Sequence, residues 1–169
     1  DIIDGGGGYD RADYYTATTG ASVTLGGTSN GTASDGQGGT DTLIRKILPE
    51  WGIGGEPFAD GLAPAQIEAA LEAAAARGKV SLVYIETPAN PTNALVDFEL
   101  VARSLAAFEA RHGYRPVSAC DNTMLGPIFQ HPIGAGIDLS VYSLTKYVGG
   151  HSDLVAGGVT GSAALIGRL

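Results

Sequence analysis

The sequence predicts an α/β fold in which the strands of a mainly parallel sheet alternate with helices. Val80 to Ile85 is a near-continuous apolar run of strand length, as expected for a strand that is buried on both faces. Pro64 to Arg77 and the segment after Asp97 lie on either side of this run and have apolar residues at helical spacing. Strands separated by helical segments are typical of layered α/β folds.

The first 36 residues do not share this pattern. Nine of them are Gly, and Thr, Ser and Asp recur among them without a helical or strand period. The run from Gly5 to Gly8 lacks the preceding strand and the Gly-Lys-Ser/Thr ending of a phosphate loop. We therefore predict an irregular segment over residues 1–36 and part of a folded domain over residues 37–169.

Two helices are predicted before the first strand. An apolar stripe over residues 43–48 ends at Pro49, because proline does not continue a helix. The second helix begins at Pro64, has apolar residues four apart, and ends at Arg77 before Gly78. Proline at the start and glycine past the end are the usual termini of a helix.

A third helix follows the first strand. Asp97 is placed to cap its beginning, and Gly113 ends it before Pro116. Four of its apolar residues are predicted to face the core: Leu100, Val101, Leu105 and Phe108. Further strands are predicted at Val117 to Cys120, Ile137 to Tyr142 and Leu154 to Thr160.

Polar residues come directly after three of the predicted strands. Asn90 follows the first strand, Asp121 the second, and Ser143, Thr145 and Lys146 the third. Ligands of open parallel sheets bind beyond the carboxyl ends of the strands. The sequence therefore predicts that these side chains converge on one ligand.

The chemistry of these residues fits pyridoxal phosphate. The amine of Lys146 can form a Schiff base with an aldehyde and can later act as a general base. Asp121 can stabilise a protonated ring nitrogen, since an opposite charge favours the cation. The hydroxyls of Ser143 and Thr145 can donate to a phosphate, and the amide of Asn90 can bond a phenolic oxygen of the cofactor ring.

The motifs resemble the Cys/Met-metabolism pyridoxal-phosphate enzymes, a family that includes cystathionine γ-synthase, the cystathionine lyases and methionine γ-lyase. Four segments carry the resemblance, which covers about residues 38–169. They are Gly38-Gly39-Thr40, Glu86-Thr87-Pro88-Ala89-Asn90-Pro91-Thr92, Asp121-Asn122-Thr123 with Pro127, and Ser143-x-Thr145-Lys146-Tyr147-x-Gly149-Gly150-His151-Ser152-Asp153. The last segment is the most specific of the four.

The resemblance implies an aspartate-aminotransferase-like, fold type I large domain that binds pyridoxal phosphate. It assigns the Schiff-base lysine to Lys146, the acid at the ring nitrogen to Asp121, phosphate-binding hydroxyls to Ser143 and Thr145, and a ring contact to Asn90. It also implies elimination or replacement at the γ or β carbon of cystathionine, methionine or an O-acylhomoserine. A homotetramer built from dimers with shared active sites is implied as well.

The chain departs from the family pattern at three places. Gln37 stands where the family has a tyrosine that stacks on the cofactor, and glutamine can neither stack like a phenol nor supply an acidic hydroxyl. Residues 1–36 do not resemble the family's preceding stretch. The chain ends at Leu169, before the smaller C-terminal domain of the family, so we expect an incomplete large domain.

Two alternatives remain open from the sequence. A fragment or pseudoenzyme of the same fold could lack turnover and bind the cofactor weakly or not at all. Ser143-Leu144-Thr145-Lys146 also matches the Ser-x-x-Lys pattern of serine acylases, but the accompanying Ser-Asp-Asn and Lys-Thr-Gly motifs are absent from the sequence.

Composition argues against several other classes. A net charge of −8 disfavours nucleic-acid and anionic-membrane partners, which require clustered Lys and Arg. No apolar run has the length of a membrane span. His112, His131 and His151 are too scattered for a metal site. The single cysteine, Cys120, fits a reducing compartment, and we predict a cytoplasmic location.

Overall fold

The computed structural model describes residues 48–90, 92–151 and 153–169. These residues belong to two units. One unit contains residues 48–57 and the short segment 89–93, and the other contains residues 58–88 and 94–169. The predicted irregular segment 1–36, Gln37, the Gly38-Gly39-Thr40 motif, most of the first helical stripe, Pro91 and Ser152 lie outside the described residues.

In the first unit, helix α1 is the single turn Leu48–Glu50. The sequence prediction that Pro49 ends this helix is wrong, because Pro49 lies inside the turn. The amides of Trp51 and Gly52 donate to the carbonyls of Leu48 and Pro49, each at 3.0 Å. The second of these bonds uses the carbonyl of Pro49, a group that proline retains.

The second unit consists of a four-stranded sheet with helices packed on it. The order along the chain is α2 (Pro64–Ala75), β1 (Leu82–Glu86), α3 (Phe98–His112), β2 (Val117–Asp121), α4 (Gly126–Phe129), β3 (Leu139–Ser143), β4 (Gly157–Gly161) and α5 (Ala163–Ile166). A 3-10 turn, Ile133–Ala135, lies between α4 and β3. The strand order is β1-β2-β3-β4. The first three strands are parallel and β4 is antiparallel to β3, which confirms a mainly parallel sheet.

Helix α3 has the termini that the sequence predicts. The side chain of Asp97 accepts a hydrogen bond from the amide of Leu100 at 3.0 Å, and Gly113 closes the helix in the left-handed region with φ of 74°. A residue other than glycine would be strained at that φ. Helix α2 is two residues shorter than predicted, because Ala76 and Arg77 form a closing turn.

The core lies between helices α2 and α3 and one face of the sheet. Nine buried residues form it: Ile67, Leu71, Val83, Ile85, Val101, Leu105, Phe108, Cys120 and Ile137. Complete burial of a side chain such as Phe108 contributes about 1.5–3 kcal/mol to folding. Because side chains alternate along a strand, the neighbours of Val83 face the opposite side of the sheet, where Leu82 and Tyr84 are 51% and 44% exposed.

The bounds of two strands differ from the prediction for identifiable reasons. Strand β1 begins at Leu82 instead of Val80 because the amide of Val80 donates to the hydroxyl of Tyr114 and not to a neighbouring strand. Strand β4 begins at Gly157, three residues later than predicted, because Ala156 is bonded to Thr145 in the preceding turn. Helices α4 and α5 were not predicted, since each has only four residues and shows no period.

Candidate cofactor site at the carboxyl edge of the sheet

The parallel strands β1, β2 and β3 end at one edge of the sheet, which we call the carboxyl edge. Glu86, the last residue of β1, is paired with Asp121, the last residue of β2. Asp121 is in turn paired with Val141, two residues before the end of β3 at Ser143. The strand register therefore places Asp121 and Ser143 at the same edge.

Within the described part of the chain, Asp121 receives one hydrogen bond on each carboxylate oxygen. The amide of Thr123 donates to Oδ1 at 2.9 Å, and the hydroxyl of Tyr84 lies 3.4 Å from Oδ2. The residue is half-buried. Both donors are neutral, and a carboxylate has roughly four lone-pair positions, so the side chain of Asp121 can accept a further hydrogen bond from a cationic partner.

Thr123 links the ends of β2 and β3. Its amide donates to Asp121, and its hydroxyl oxygen accepts from the amide of Ser143 at 2.7 Å. One residue thus holds together two of the predicted cofactor-binding residues. The sequence analysis noted the Asp-Asn-Thr motif but gave Thr123 no role, because a contact between residues 20 apart in sequence leaves no local signal.

Asn122 fixes the turn that carries Thr123. Its side chain is fully buried, and its Nδ2 lies 3.1 Å from the carbonyl oxygens of both Gly126 and Gln130 and 3.2 Å from the hydroxyl of Tyr142. Its backbone amide donates to the carbonyl of Val141 at 2.8 Å. The Oδ1 atom of Asn122 has no hydrogen-bond partner among the described residues, so the bonds of Nδ2 and of the backbone amide are what hold the chain after Asp121 in one path.

Lys146 lies in a compact turn immediately after β3. The turn spans residues 144–149, and the amide of Lys146 donates to the carbonyl of Ser143 at 3.1 Å. Lys146 is exposed, so a ligand at the carboxyl edge can reach its amine. The lysine predicted to bind the cofactor covalently therefore lies three residues after the end of β3.

The two glycines of the motif allow this turn to close. The amide of Gly149 donates to the carbonyl of Leu144 at 2.8 Å, and a Cβ atom at Gly149 would lie 2.9 Å from that oxygen. Gly150 has φ of 75°, which L residues with side chains rarely adopt. The pair is thus explained by the backbone of the turn itself.

The hydroxyl of Thr145 has a local partner. Its oxygen accepts from the amide of Ala156 at 2.9 Å, and it lies 3.3 Å from the carbonyl oxygen of the same residue. That carbonyl also accepts from the amide of Thr145 at 3.2 Å. If the hydroxyl of Thr145 donated its hydrogen bond to a phosphate instead, the carbonyl of Ala156 would keep the bond from the amide of Thr145. The hydroxyl can therefore donate to a phosphate without leaving that carbonyl unpaired.

Cys120 lies directly beside Asp121, on the core face of β2. Its side chain is fully buried, and its Sγ lies 3.3 Å from the carbonyl oxygen of Asp121. Burial, and next the charge of Asp121, raise the pKa of the thiol to about 12. The thiol therefore stays protonated and unreactive at neutral pH.

Four of the five predicted site residues are thus at the carboxyl edge of one unit: Asp121, Ser143, Thr145 and Lys146. Asn90 belongs to the segment 89–93 of the other unit, and its ring contact stays a prediction. An amine, a carboxylate and two hydroxyls are the groups that bind an aldehyde, a ring cation and a phosphate. The donor set at this edge fits pyridoxal phosphate.

Comparison with known proteins identifies the family. The sequence model of the Cys/Met-metabolism pyridoxal-phosphate-dependent enzymes matches residues 20–168. The chain belongs to this family. The predicted family, its fold and its cofactor, pyridoxal phosphate, are therefore confirmed. The prediction of a pyridoxal-phosphate-dependent lyase or synthase family is confirmed as well.

Two curated relatives illustrate the similarity. Human cystathionine gamma-lyase is 38% identical over 123 residues, which are 73% of this chain and 28% of the relative. The chloroplastic cystathionine gamma-synthase 1 of Arabidopsis thaliana is 37% identical over 130 residues, 77% of this chain and 21% of the relative. The chain thus spans less than a third of the length of these two proteins.

Two solved structures have the same fold over most of this chain. The structure of metB from Corynebacterium glutamicum matches 78% of the chain and 31% of its own length, with a TM-score of 0.63 and 31% identity. A cystathionine gamma-lyase from Lactobacillus plantarum complexed with L-serine matches 77% of the chain and 31% of its own length, with a TM-score of 0.63 and 30% identity.

Among the described residues of our chain, no helix has the length and apolar character to cross a membrane.

Proposed function

We propose that this chain supplies the cofactor-binding part of an enzyme that eliminates or replaces a group at the γ or β carbon of a sulfur amino acid. The substrate class is cystathionine, methionine or an O-acylhomoserine. The observation that carries the proposal is the joining of Asp121 and Ser143 by Thr123 at the carboxyl edge, with Lys146 in the next turn.

Each residue has a role that follows from its chemistry. Lys146 Nζ would hold the cofactor covalently through its aldehyde carbon, and as a free amine it would take the proton from the substrate Cα. Asp121 stabilises a positive charge on the ring nitrogen. The chemistry that bound pyridoxal phosphate would supply is an acceptor for the electron pair that the lost Cα proton leaves behind. Ser143 and Thr145 donate to the phosphate, and Asn90 donates to the phenolic oxygen of the ring.

The covalent role of Lys146 is tested by reductive trapping. The chain is incubated with pyridoxal phosphate, reduced with borohydride, digested and analysed by mass spectrometry. We expect the cofactor mass on the peptide that contains Lys146, and we expect Lys146→Ala to lose both this adduct and its visible absorption band while the fold remains. Lys79→Ala is the matched control, because Lys79 lies over the ring of Tyr114 and has no proposed role. An adduct that persists in Lys146→Ala would remove the assignment.

Turnover separates the proposal from the alternative of a non-catalytic fragment or pseudoenzyme. Release of a 2-oxo acid, of a thiol from cystathionine or methionine, or of the carboxylic acid from an O-acylhomoserine supports the enzyme. Cofactor binding without any release supports the alternative. The same assay distinguishes elimination, which yields the 2-oxo acid and ammonia, from replacement, which consumes a second thiol substrate.

We also propose a homotetramer in the cytoplasm. Exposed apolar side chains near the carboxyl edge support self-association, among them Ile128 at 78% and Phe129 at 80% exposure on α4, since large exposed apolar groups in one region are typical of interfaces. The free thiol of Cys120 supports a reducing compartment. Light scattering after size-exclusion chromatography measures the oligomer, and a monomeric mass would contradict it.

A further inference from the structure

The hydroxyl of Tyr84 contacts the carboxylate of Asp121, the residue predicted to bind the ring nitrogen of the cofactor. Tyr84 is in the middle of β1, on the sheet face that helices α2 and α3 do not cover. It is paired with Ala119 of β2, and Asp121 is the next residue on that face of β2. The hydroxyl of Tyr84 reaches diagonally and lies 3.4 Å from Oδ2 of Asp121.

The hydroxyl of Tyr84 is the donor in this contact. Partial burial first, and then the charges of Asp121 and Glu86, raise the pKa of Tyr84 above its ordinary value. The phenol therefore keeps its proton across the physiological range, and the carboxylate can only accept it. Glu86 and Asp121 both lie toward the same end of the strands, so the phenol is held beside two acidic residues.

The two donors to Asp121 come from different parts of the chain. Thr123 lies two residues after Asp121 and donates to Oδ1, whereas Tyr84 is on the neighbouring strand and donates to Oδ2. A carboxylate held at both oxygens has less freedom to rotate about its side-chain bonds, and it loses less entropy when a ligand binds to it. It still has lone pairs for a third donor.

We propose that Tyr84 is a positioning residue for Asp121. Its hydroxyl and the amide of Thr123 together orient the carboxylate toward the ring nitrogen of the cofactor. This inference rests on the proposed function, because it assumes that Asp121 contacts that nitrogen. Tyr84 itself does not touch the reacting atoms.

The contact between Tyr84 and Asp121 is tested first without any cofactor. The free energy of unfolding is measured for the full chain, for Tyr84→Phe, for Asp121→Ala and for the double variant. We expect the two effects on the unfolding equilibrium constant to be non-additive by about twofold or more, as for residues in contact. Strict additivity would show that the contact does not form and would overturn the proposal, whatever the cofactor does.

The positioning role is tested with two ligands that differ at one atom. Binding of pyridoxal phosphate to Tyr84→Phe is compared with binding of its carbocyclic analogue, in which CH replaces the ring nitrogen. We expect Tyr84→Phe to weaken the binding of pyridoxal phosphate about three- to tenfold, the range for a hydrogen bond to a charged group with partial exposure. Binding of the analogue, which has no ring nitrogen for Asp121 to hold, should change less than about twofold.

Tyr114→Phe is the matched control. Its hydroxyl also takes part in a hydrogen bond, accepting from the amide of Val80 at 3.1 Å, but this bond lies before the start of β1 at Leu82, at the end of the strand away from the carboxyl edge. Equal weakening of both ligands by Tyr84→Phe would show a merely structural role and would overturn the proposal. An unchanged affinity for both would do the same. If the unchanged chain binds neither ligand, the proposed function fails, while the unfolding experiment still decides on the contact.

Discussion

Asp121 and Asp138 lie at opposite ends of neighbouring strands, and their surroundings differ. Asp138, just before β3, accepts from the amide and the hydroxyl of Ser118 and forms an ion pair with Arg115. Asp121, at the end of β2, accepts from one phenol and one amide, both neutral. Arg115 balances the charge of Asp138, whereas the described residues give Asp121 no cationic partner.

The comparison supports the proposal that Asp138 serves the fold and Asp121 the cofactor site. Residue type and half-buried position do not separate the two. The separation comes from the partners: a guanidinium and two donors of one serine hold Asp138 at the amino end of the strands, and the amide of Asp138 returns a bond of 3.0 Å to the same serine. Ligands of parallel sheets bind at the other end, where Asp121 lies.

The largest expected effect is on cofactor binding when the same substitution is made at each carboxylate. Asp121→Asn removes the charge that we propose stabilises the ring nitrogen but keeps the shape of the side chain. We expect the dissociation constant of pyridoxal phosphate to rise about 10- to 100-fold, since a charge-assisted bond of roughly 1.4–2.8 kcal/mol is weakened. The free energy of unfolding should change by less than about 1 kcal/mol. Absorbance titration and urea unfolding measure the two quantities.

Asp138→Asn should have the opposite profile. The variant loses the ion pair with Arg115 and weakens the bonds from Ser118, so we expect the free energy of unfolding to fall by about 1–2 kcal/mol. The dissociation constant of pyridoxal phosphate should stay within about twofold of the original, because Asp138 is at the far end of the strands. If Asp138→Asn instead weakened the cofactor as much as Asp121→Asn, the proposed division between the two ends of the sheet would be wrong.

A smaller effect is expected from acid. Burial alone would raise the pKa of Asp138, but the amide and hydroxyl of Ser118 and the charge of Arg115 outweigh it and hold the pKa below its ordinary value. A carboxyl whose pKa is lowered in the folded state contributes stability above its unfolded pKa, and this contribution is lost as the pH falls through the folded pKa. The free energy of unfolding, measured between neutral pH and about pH 3, should therefore fall more steeply with falling pH in the original chain than in Asp138→Asn. Equal slopes would contradict this origin.

The sequence predicts the elements whose signals are local. Helix α3 has a capping Asp97, a closing Gly113 and a continuous apolar stripe, and the structure has all three. The strands β2 and β3 are also where they are predicted, within two residues at each end, because polar residues or turns bound them. The sequence does not predict the short helices between Gly126 and Ala135, because they have too few residues to show a period. It misplaces the start of strand β4, which consists largely of glycine and has few side chains to show a pattern.

The candidate site shows the same limit. Asp121, Ser143, Thr145 and Lys146 are predicted from their positions after strands and from motif spacing. The links between them depend on strand register, which the sequence does not reveal: Thr123 meets Ser143 across 20 residues, and Tyr84 meets Asp121 across 37. In the sequence, Tyr84 is one residue of the apolar run from Val80 to Ile85, so the pattern predicts only that it belongs to a buried strand.

The burial of Cys120 makes the end of β2 observable in solution. Its thiol is enclosed by the core and directly precedes Asp121. An alkylating reagent can reach this sulfur only when β2 separates from the helices that cover it, so the rate of modification under native conditions reports how often the strand opens. Because the chain has one cysteine, the rate of alkylation refers to this strand alone. The factor by which a bound ligand slows alkylation measures how much the ligand stabilises the closed strand.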